Sequence, residues 1–130
     1  MTSVLVLDAS VAVRLVTNTC GQDDWGDQIE QAALVLAPEL MLTEVANVLW
    51  KLQRSNALQH VDPQVLLADA RELVDAIEPD RSLQVEALAL ACHLNHPVYD
   101  CLYLALARRQ AARLLTADRR LQLLASQVLP

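Results

Sequence analysis

The sequence predicts an α/β fold, a parallel sheet covered by helices on both faces. Short apolar runs such as "VLVL" at 4–7, "LVLA" at 34–37 and "RLLT" at 113–116 have the continuous aliphatic character of strands buried on two sides. Stretches of helical periodicity separate them, and strands alternating with helices form parallel sheets. In such sheets the ligand crevice lies beyond the carboxyl ends of the strands, where strand order reverses.

Element by element, a strand at 3–7 runs into a helix over "ASVAVRLV", and the polar loop "TNTCGQDDWG" leads to a helix near 25–33. The strand "LVLA" ends at Pro38. Residues 39–55 form a long helix with Leu42, Val45, Leu49 and Leu52 at helical spacing on its core face. Asp62-Pro63 is an N-cap and first-turn pair for a helix over 63–77. A short edge strand is expected in "AIEPD", and Ser82 is placed to cap a helix reaching about Leu94. His96-Pro97 breaks that helix. Another helix follows over 98–111, then the strand "RLLTA" and a last helix over 118–125.

A chain of 130 residues suits one domain, spanning 1–130, with a single core. Its hydrophobic fraction of 54% exceeds what so small a domain can bury, which implies apolar surface meeting another subunit or partner. The formal net charge of -6 argues against nucleic-acid affinity driven by bulk charge. Charge distribution is more informative. Lys51 is the sole lysine, whereas Arg108, Arg109, Arg113, Arg119 and Arg120 gather near the C-terminus, as a phosphate rail or as a solvated basic face.

Cys20, Cys92 and Cys101 are odd in number and lack C-x-x-C spacing, and two sit in helical apolar stretches, which suits reduced core thiols in a cytosolic protein. His60, His93 and His96 have no zinc-finger spacing. No basic stretch precedes the first apolar run, as a signal peptide requires, and polar residues interrupt the longest apolar tract, 83–107, so no membrane span is expected.

Asp8 poses the functional question, because an ionised group at the end of a buried strand needs a partner. Asp8, Asp100 and Asp118 each stand near a helix start, where a carboxylate can cap exposed amides. Asp100 strains that reading: with Tyr103, Leu104 and Ala107 at i+3, i+4 and i+7, it shares an apolar stripe. Glu44 shares a helix face with Asn47 and Lys51 and by itself reads as a polar flank. Taken together, four carboxylates converging on one crevice would call for a hard divalent cation with oxygen ligands. The chain has two glycines and neither a phosphate-binding glycine loop nor a G-x-S-x-G nucleophile motif.

The set "VLDAS", "EVANVL", "YDCLYLALA" and "LLTADRRL", in this order over nearly the full length, resembles the PIN-domain proteins, and most of all the small toxin ribonucleases of the VapC type. The resemblance implies a three-layer α/β/α PIN-like fold and Mg²⁺-dependent cleavage of RNA, with Mn²⁺ as a substitute. It also implies a homodimer held inactive by a cognate antitoxin in the cytoplasm. By position, Asp8, Glu44, Asp100 and Asp118 match the family's acidic, metal-binding residues. Ser10 and Thr116 match supporting hydroxyls, and Asn47 follows Glu44 on the same face. Leu121 stands where relatives often carry an aromatic residue. Two rival readings are a phospho-acceptor domain, which would want a lysine after a late strand, and a catalytically silent PIN-like module that binds a protein partner.

Overall fold

In the computed structural model, which describes residues 3–130, four strands form one parallel sheet in the order β3-β2-β1-β4. They are β1 (Val4–Leu7), β2 (Leu34–Pro38), β3 (Ala76–Glu78) and β4 (Arg113–Leu115). Leu5, Val6 and Leu7 are wholly buried, as expected for a central strand covered on both faces. β1 pairs with β2 on one side and β4 on the other, with Val6 opposite Leu36 and Leu114. The chain therefore winds outward from β1 through β2 to β3 and returns to the far side of β1 for β4. That reversal makes the gap between β1 and β4 the topological switch point.

The flanking helices are α1 (Ala9–Val16), α2 (Trp25–Gln31), α3 (Glu39–Arg54), α4 (Pro63–Glu72), α5 (Gln84–Leu94), α6 (Val98–Arg109) and α7 (Arg119–Val128). Helices α1, α3 and α4 pack on one another, while α6 packs on β1, β2 and β4 and is flanked by α5 and α7. The arrangement is a three-layer α/β/α fold. Every residue of α6 from Cys101 to Ala107 is buried, because a helix that is apolar on all sides must be enclosed by its neighbours. This central helix carries Asp100 in its first turn.

Several boundaries differ from the periodicity by a residue or more, four of them with a visible cause. Helix α4 ends at Glu72 rather than 77, because Asp75 docks on β2: its amide donates to the Val35 carbonyl and its carboxylate accepts from the Val35 amide, each at 2.7 Å. Those bonds draw the chain into β3. Ser82 does not cap α5; it closes a 3₁₀ turn at Asp80–Ser82, donating to Glu78 Oε1 at 2.6 Å, and α5 starts at Gln84. Helix α6 stops at Arg109, since Ala111 adopts a left-handed φ of 50° and the Ala112 amide bonds back to Ala107. Helix α7 extends to Val128 rather than 125, with Leu121 and Leu124 buried beneath it.

Candidate active site

β1 ends at Leu7, and the extended backbone of Asp8 (φ -86°, ψ 153°) turns the chain into α1. Although Asp8 occupies the N-cap position, its side chain makes no capping bond. Its Oδ2 instead accepts from Ser10 Oγ at 2.7 Å and from Thr116 Oγ1 at 2.5 Å. Asp8 is 7% exposed, and burial pushes its carboxyl above the usual carboxylate range, against the pull of the two hydroxyls and the Ala9 amide. The Asp100 charge pushes it further up.

The two hydroxyls are themselves oriented. Thr116 Oγ1 accepts from the Asp118 amide at 3.0 Å, and Ser10 Oγ accepts from the Ala117 amide at 3.0 Å. Each hydroxyl has one proton to give, and these amides leave that proton for Asp8. The turn after β4 thus fastens to the carboxylate after β1, across the switch point. Gln122 Nε2 holds the same turn by donating to the Thr116 carbonyl at 2.8 Å.

Glu44, on the second turn of α3, is half-buried, and the Tyr103 hydroxyl donates to its Oε1. Burial raises the Glu44 carboxyl above its ordinary range; the phenol bond lowers it, and the charges of Asp8, Asp100 and Asp80 raise it again. The Tyr103 phenol is driven far above its ordinary range by its own burial and by the nearby carboxylates of Asp8 and Glu44. Asp100, whose side chain is 33% exposed, receives His96 Nε2 at 2.6 Å. Asp8, Glu44 and Asp100 therefore share one electrostatic neighbourhood.

Asp80 reaches the same rim in another role. Its Oδ1 accepts from the Leu40 amide at 3.0 Å while its own amide donates to Glu39 Oε1 at 2.9 Å, so it caps α3 from the end of β3. Asp118 is exposed, and its Oδ1 caps α7 by accepting from the amides of Arg120 (2.8 Å) and Leu121 (3.1 Å). It sits beside Thr116 at the rim, its amide donating to Thr116 Oγ1. Asn47 and Lys51 are exposed.

The arginines divide. Arg119 and Arg120 open α7 beside Asp118 and are exposed. Arg113 begins β4 opposite Leu5, away from the carboxyl ends of the strands. Arg109 is engaged by the Ser82 carbonyl at 2.6 Å, Glu86 at 2.7 Å and Glu78 at 3.5 Å, and Arg108 is exposed at the end of α6.

Among the described residues, neither Asp8 nor Glu44 has a basic ion-pair partner, and no three His, Cys, Asp or Glu side chains stand close enough to enclose an ion unaided. An all-oxygen donor set with uncompensated negative charge and loose spacing fits a hard divalent cation that retains several waters. Zinc, which favours four close N or S ligands, fits poorly. Two interactions here escaped the sequence: Tyr103 reads there as part of an apolar stripe, and His96 as part of a helix break. Tyr103 lies at i+3 from Asp100, and that spacing is the one signal that could have joined it to the site.

Comparison with known proteins agrees with this fold. The PIN domain family model matches residues 5–126. A protein named Ribonuclease VapC3, from Pyrobaculum aerophilum, is 33% identical over 119 residues, covering 90% of this chain and 91% of that protein. The crystal structure of PAE2754, also from Pyrobaculum aerophilum, superposes with a TM-score of 0.72 at 21% identity, covering 95% of this chain and 86% of the other.

Proposed function

The chain belongs to the PIN-domain family, and on that footing we propose that it is a metal-dependent endoribonuclease hydrolysing RNA phosphodiester bonds, the toxin of a VapC-type toxin-antitoxin pair. The observation that carries this reading is the buried Asp8 carboxylate at the β1/β4 switch point, joined by Glu44 and Asp100 and lacking a basic partner among the described residues. The 33% identity to Ribonuclease VapC3 supports the substrate class.

Asp8, Glu44 and Asp100, with Asp118 at the rim, would hold Mg²⁺, or Mn²⁺ in its stead. Bound there, the cation supplies Lewis acidity toward a phosphoryl oxygen and acidifies a water molecule. Ser10 and Thr116 favour the ionised form of Asp8 against its burial and fix its orientation by donating to one of its oxygens. Tyr103 does the same for Glu44. Arg119 and Arg120 offer planar guanidinium forks to phosphates approaching the rim, and Asn47 offers an amide one turn beyond Glu44 on α3.

The test is incubation with a broad RNA pool. Cleavage is expected with Mg²⁺ or Mn²⁺, abolished by EDTA and by Asp8→Asn. Cleavage that persists in EDTA and is shared by Asp8→Asn would sink the metal-dependent reading.

A cytoplasmic homodimer that binds an antitoxin completes the proposal. Exposed apolar side chains support it, among them Trp50, Val65, Val85, Leu88 and Leu123. No helix among the described residues is long and apolar enough to cross a membrane. Light scattering of the purified chain should give twice the chain mass, and co-expression with the antitoxin should relieve growth arrest.

A further inference from the structure

Helix α5 ends in a left-handed residue, Asn95 (φ 52°), and the His96 amide folds back to the Ala91 carbonyl at 3.1 Å. This is the closure of a Schellman-type cap, and it sets His96 over the end of α5. Pro97 then serves as the N-cap of α6, which makes Asp100 the third residue of that helix. A carboxylate at that position ordinarily reaches back to the N-cap amide. Proline has no amide proton, so the usual partner is missing. The His96 imidazole takes its place, with Nε2 2.6 Å from Asp100 Oδ2. The His96 side chain is only 7% exposed, and its Nδ1 is buried without a protein partner. Such an imidazole is not a solvated surface group, and among the described residues its one hydrogen bond goes to Asp100.

We propose that His96 is a positioning residue for the cation site: by donating to Oδ2, it fixes the Asp100 rotamer and leaves Oδ1 as the ligating oxygen. The inference rests on the metal-dependent reading of the acidic cluster, and it adds a residue that none of the four acidic motifs contains. Histidine here acts through Asp100, without touching the cation or the RNA. A donor that orients a ligating carboxylate contributes on the order of 10–100-fold to metal affinity.

The experiment is calorimetric titration of Mn²⁺ into the metal-free protein, accompanied by thermal melting. His96→Leu removes the donor and keeps apolar volume; its Mn²⁺ affinity should fall about 10–100-fold. His96→Gln, which can present an N–H to Asp100, should regain most of that loss. Introduced into an Asp100→Asn background, His96→Leu should have no further effect, because the two residues act as one unit. Should His96→Leu fail to fold, His96→Met, also without a donor, replaces it.

Equal Mn²⁺ affinity in wild type and His96→Leu, with Asp8→Asn still impaired, would overturn the positioning role while the metal site stands. A loss that Gln does not relieve, or that persists in the Asp100→Asn background, would also overturn it, as a general disturbance of the α5–α6 junction. Absence of Mn²⁺ binding in the wild type would remove the metal-dependent reading, and this inference with it.

Discussion

Thr116 Oγ1 lies 2.5 Å from Asp8 Oδ2, a bond between residues 108 positions apart that spans the switch point of the sheet. It ties the strand that delivers the carboxylate to the strand beside it. Thr116→Val keeps the shape and removes the hydroxyl, taking away one of the two donors to Asp8 Oδ2, with Ser10 the other, and stranding the Asp118 amide that Thr116 receives. Losing a hydrogen bond to a buried charge should lower stability by about 1.5–3 kcal/mol, read by urea unfolding without metal. RNA cleavage should fall as well, and Thr116→Ser should restore both. A Val variant as active and as stable as wild type would refute the orienting role.

Asp8 was legible from residues alone, because an acid closing a run of buried aliphatics needs a reason to be there. The sheet was legible for the same reason: strands buried on both faces read as unbroken Val/Leu runs. The Glu44–Tyr103 bond was not, since it joins residues 59 positions apart and depends on how α6 crosses the sheet. Neither was the end of α4, where helical periodicity runs on past Glu72 but Asp75 is captured by Val35. Asp118 shows a different limit. Capping and ligation draw on the same residue type at the same place, and sequence spacing does not separate them.

Acid should stabilise the metal-free protein through Asp8 and Glu44. Both carboxyls lie above their ordinary values of 3.8 and 4.5, so the folded state binds their protons more tightly than the unfolded chain does. Their unfavourable contribution is absent below those ordinary values, grows as pH rises toward the folded values, and is complete above them. Asp8→Asn should flatten that part of the profile and leave the metal-free protein more stable at pH 7. Saturating Mg²⁺ should reverse the trend, because cation binding favours the ionised acids. Denaturation series from pH 4 to 8, with EDTA and with Mg²⁺, check all three; identical wild-type and Asp8→Asn profiles would refute the shared site.

Tyr103→Phe should separate packing from orientation. Tyr103 is wholly buried and donates to Glu44, so the phenylalanine ring fills nearly the same space while freeing the carboxylate. Metal affinity should drop by about 10-fold or more, in the range seen when partners of ligating groups are removed. Metal-free melting should change little, because Glu44 is half-exposed and water can replace the phenol. Unaltered metal affinity would make Tyr103 a core residue only.

The arginines should differ in their dependence on salt. Arg119 and Arg120 are exposed at the rim beside Asp118, whereas Arg109 is held by Ser82, Glu78 and Glu86. Replacing Arg119 and Arg120 with Ala should weaken RNA binding and reduce the slope of log K against log salt by about 0.7 for each phosphate no longer neutralised. Arg109→Ala should leave that slope alone. Fluorescence anisotropy with labelled single-stranded RNA in EDTA, from 50 to 300 mM salt, distinguishes them, and an unchanged slope for the Arg119/Arg120 variant would return these residues to a solvated face.

Asp118→Asn separates the cap from the ligand. Asp118 Oδ1 already serves the amides of Arg120 and Leu121, which leaves Oδ2 as the oxygen available to a cation at the rim. Asparagine caps helices about as well as aspartate, so the substitution should change metal-free stability by no more than about 0.5 kcal/mol. The neutral amide is a poor ligand for a hard cation, so the Mg²⁺-induced rise in melting temperature should shrink. Stabilisation by a ligand grows as RT ln(1 + [L]/Kd), so a tenfold weaker Kd removes about 1.4 kcal/mol of it at saturating Mg²⁺. Melting across a Mg²⁺ titration at constant ionic strength reads that difference without confusing binding with screening. A Mg²⁺ response equal to that of the wild type would assign Asp118 to capping α7 and leave the cation to Asp8, Glu44 and Asp100.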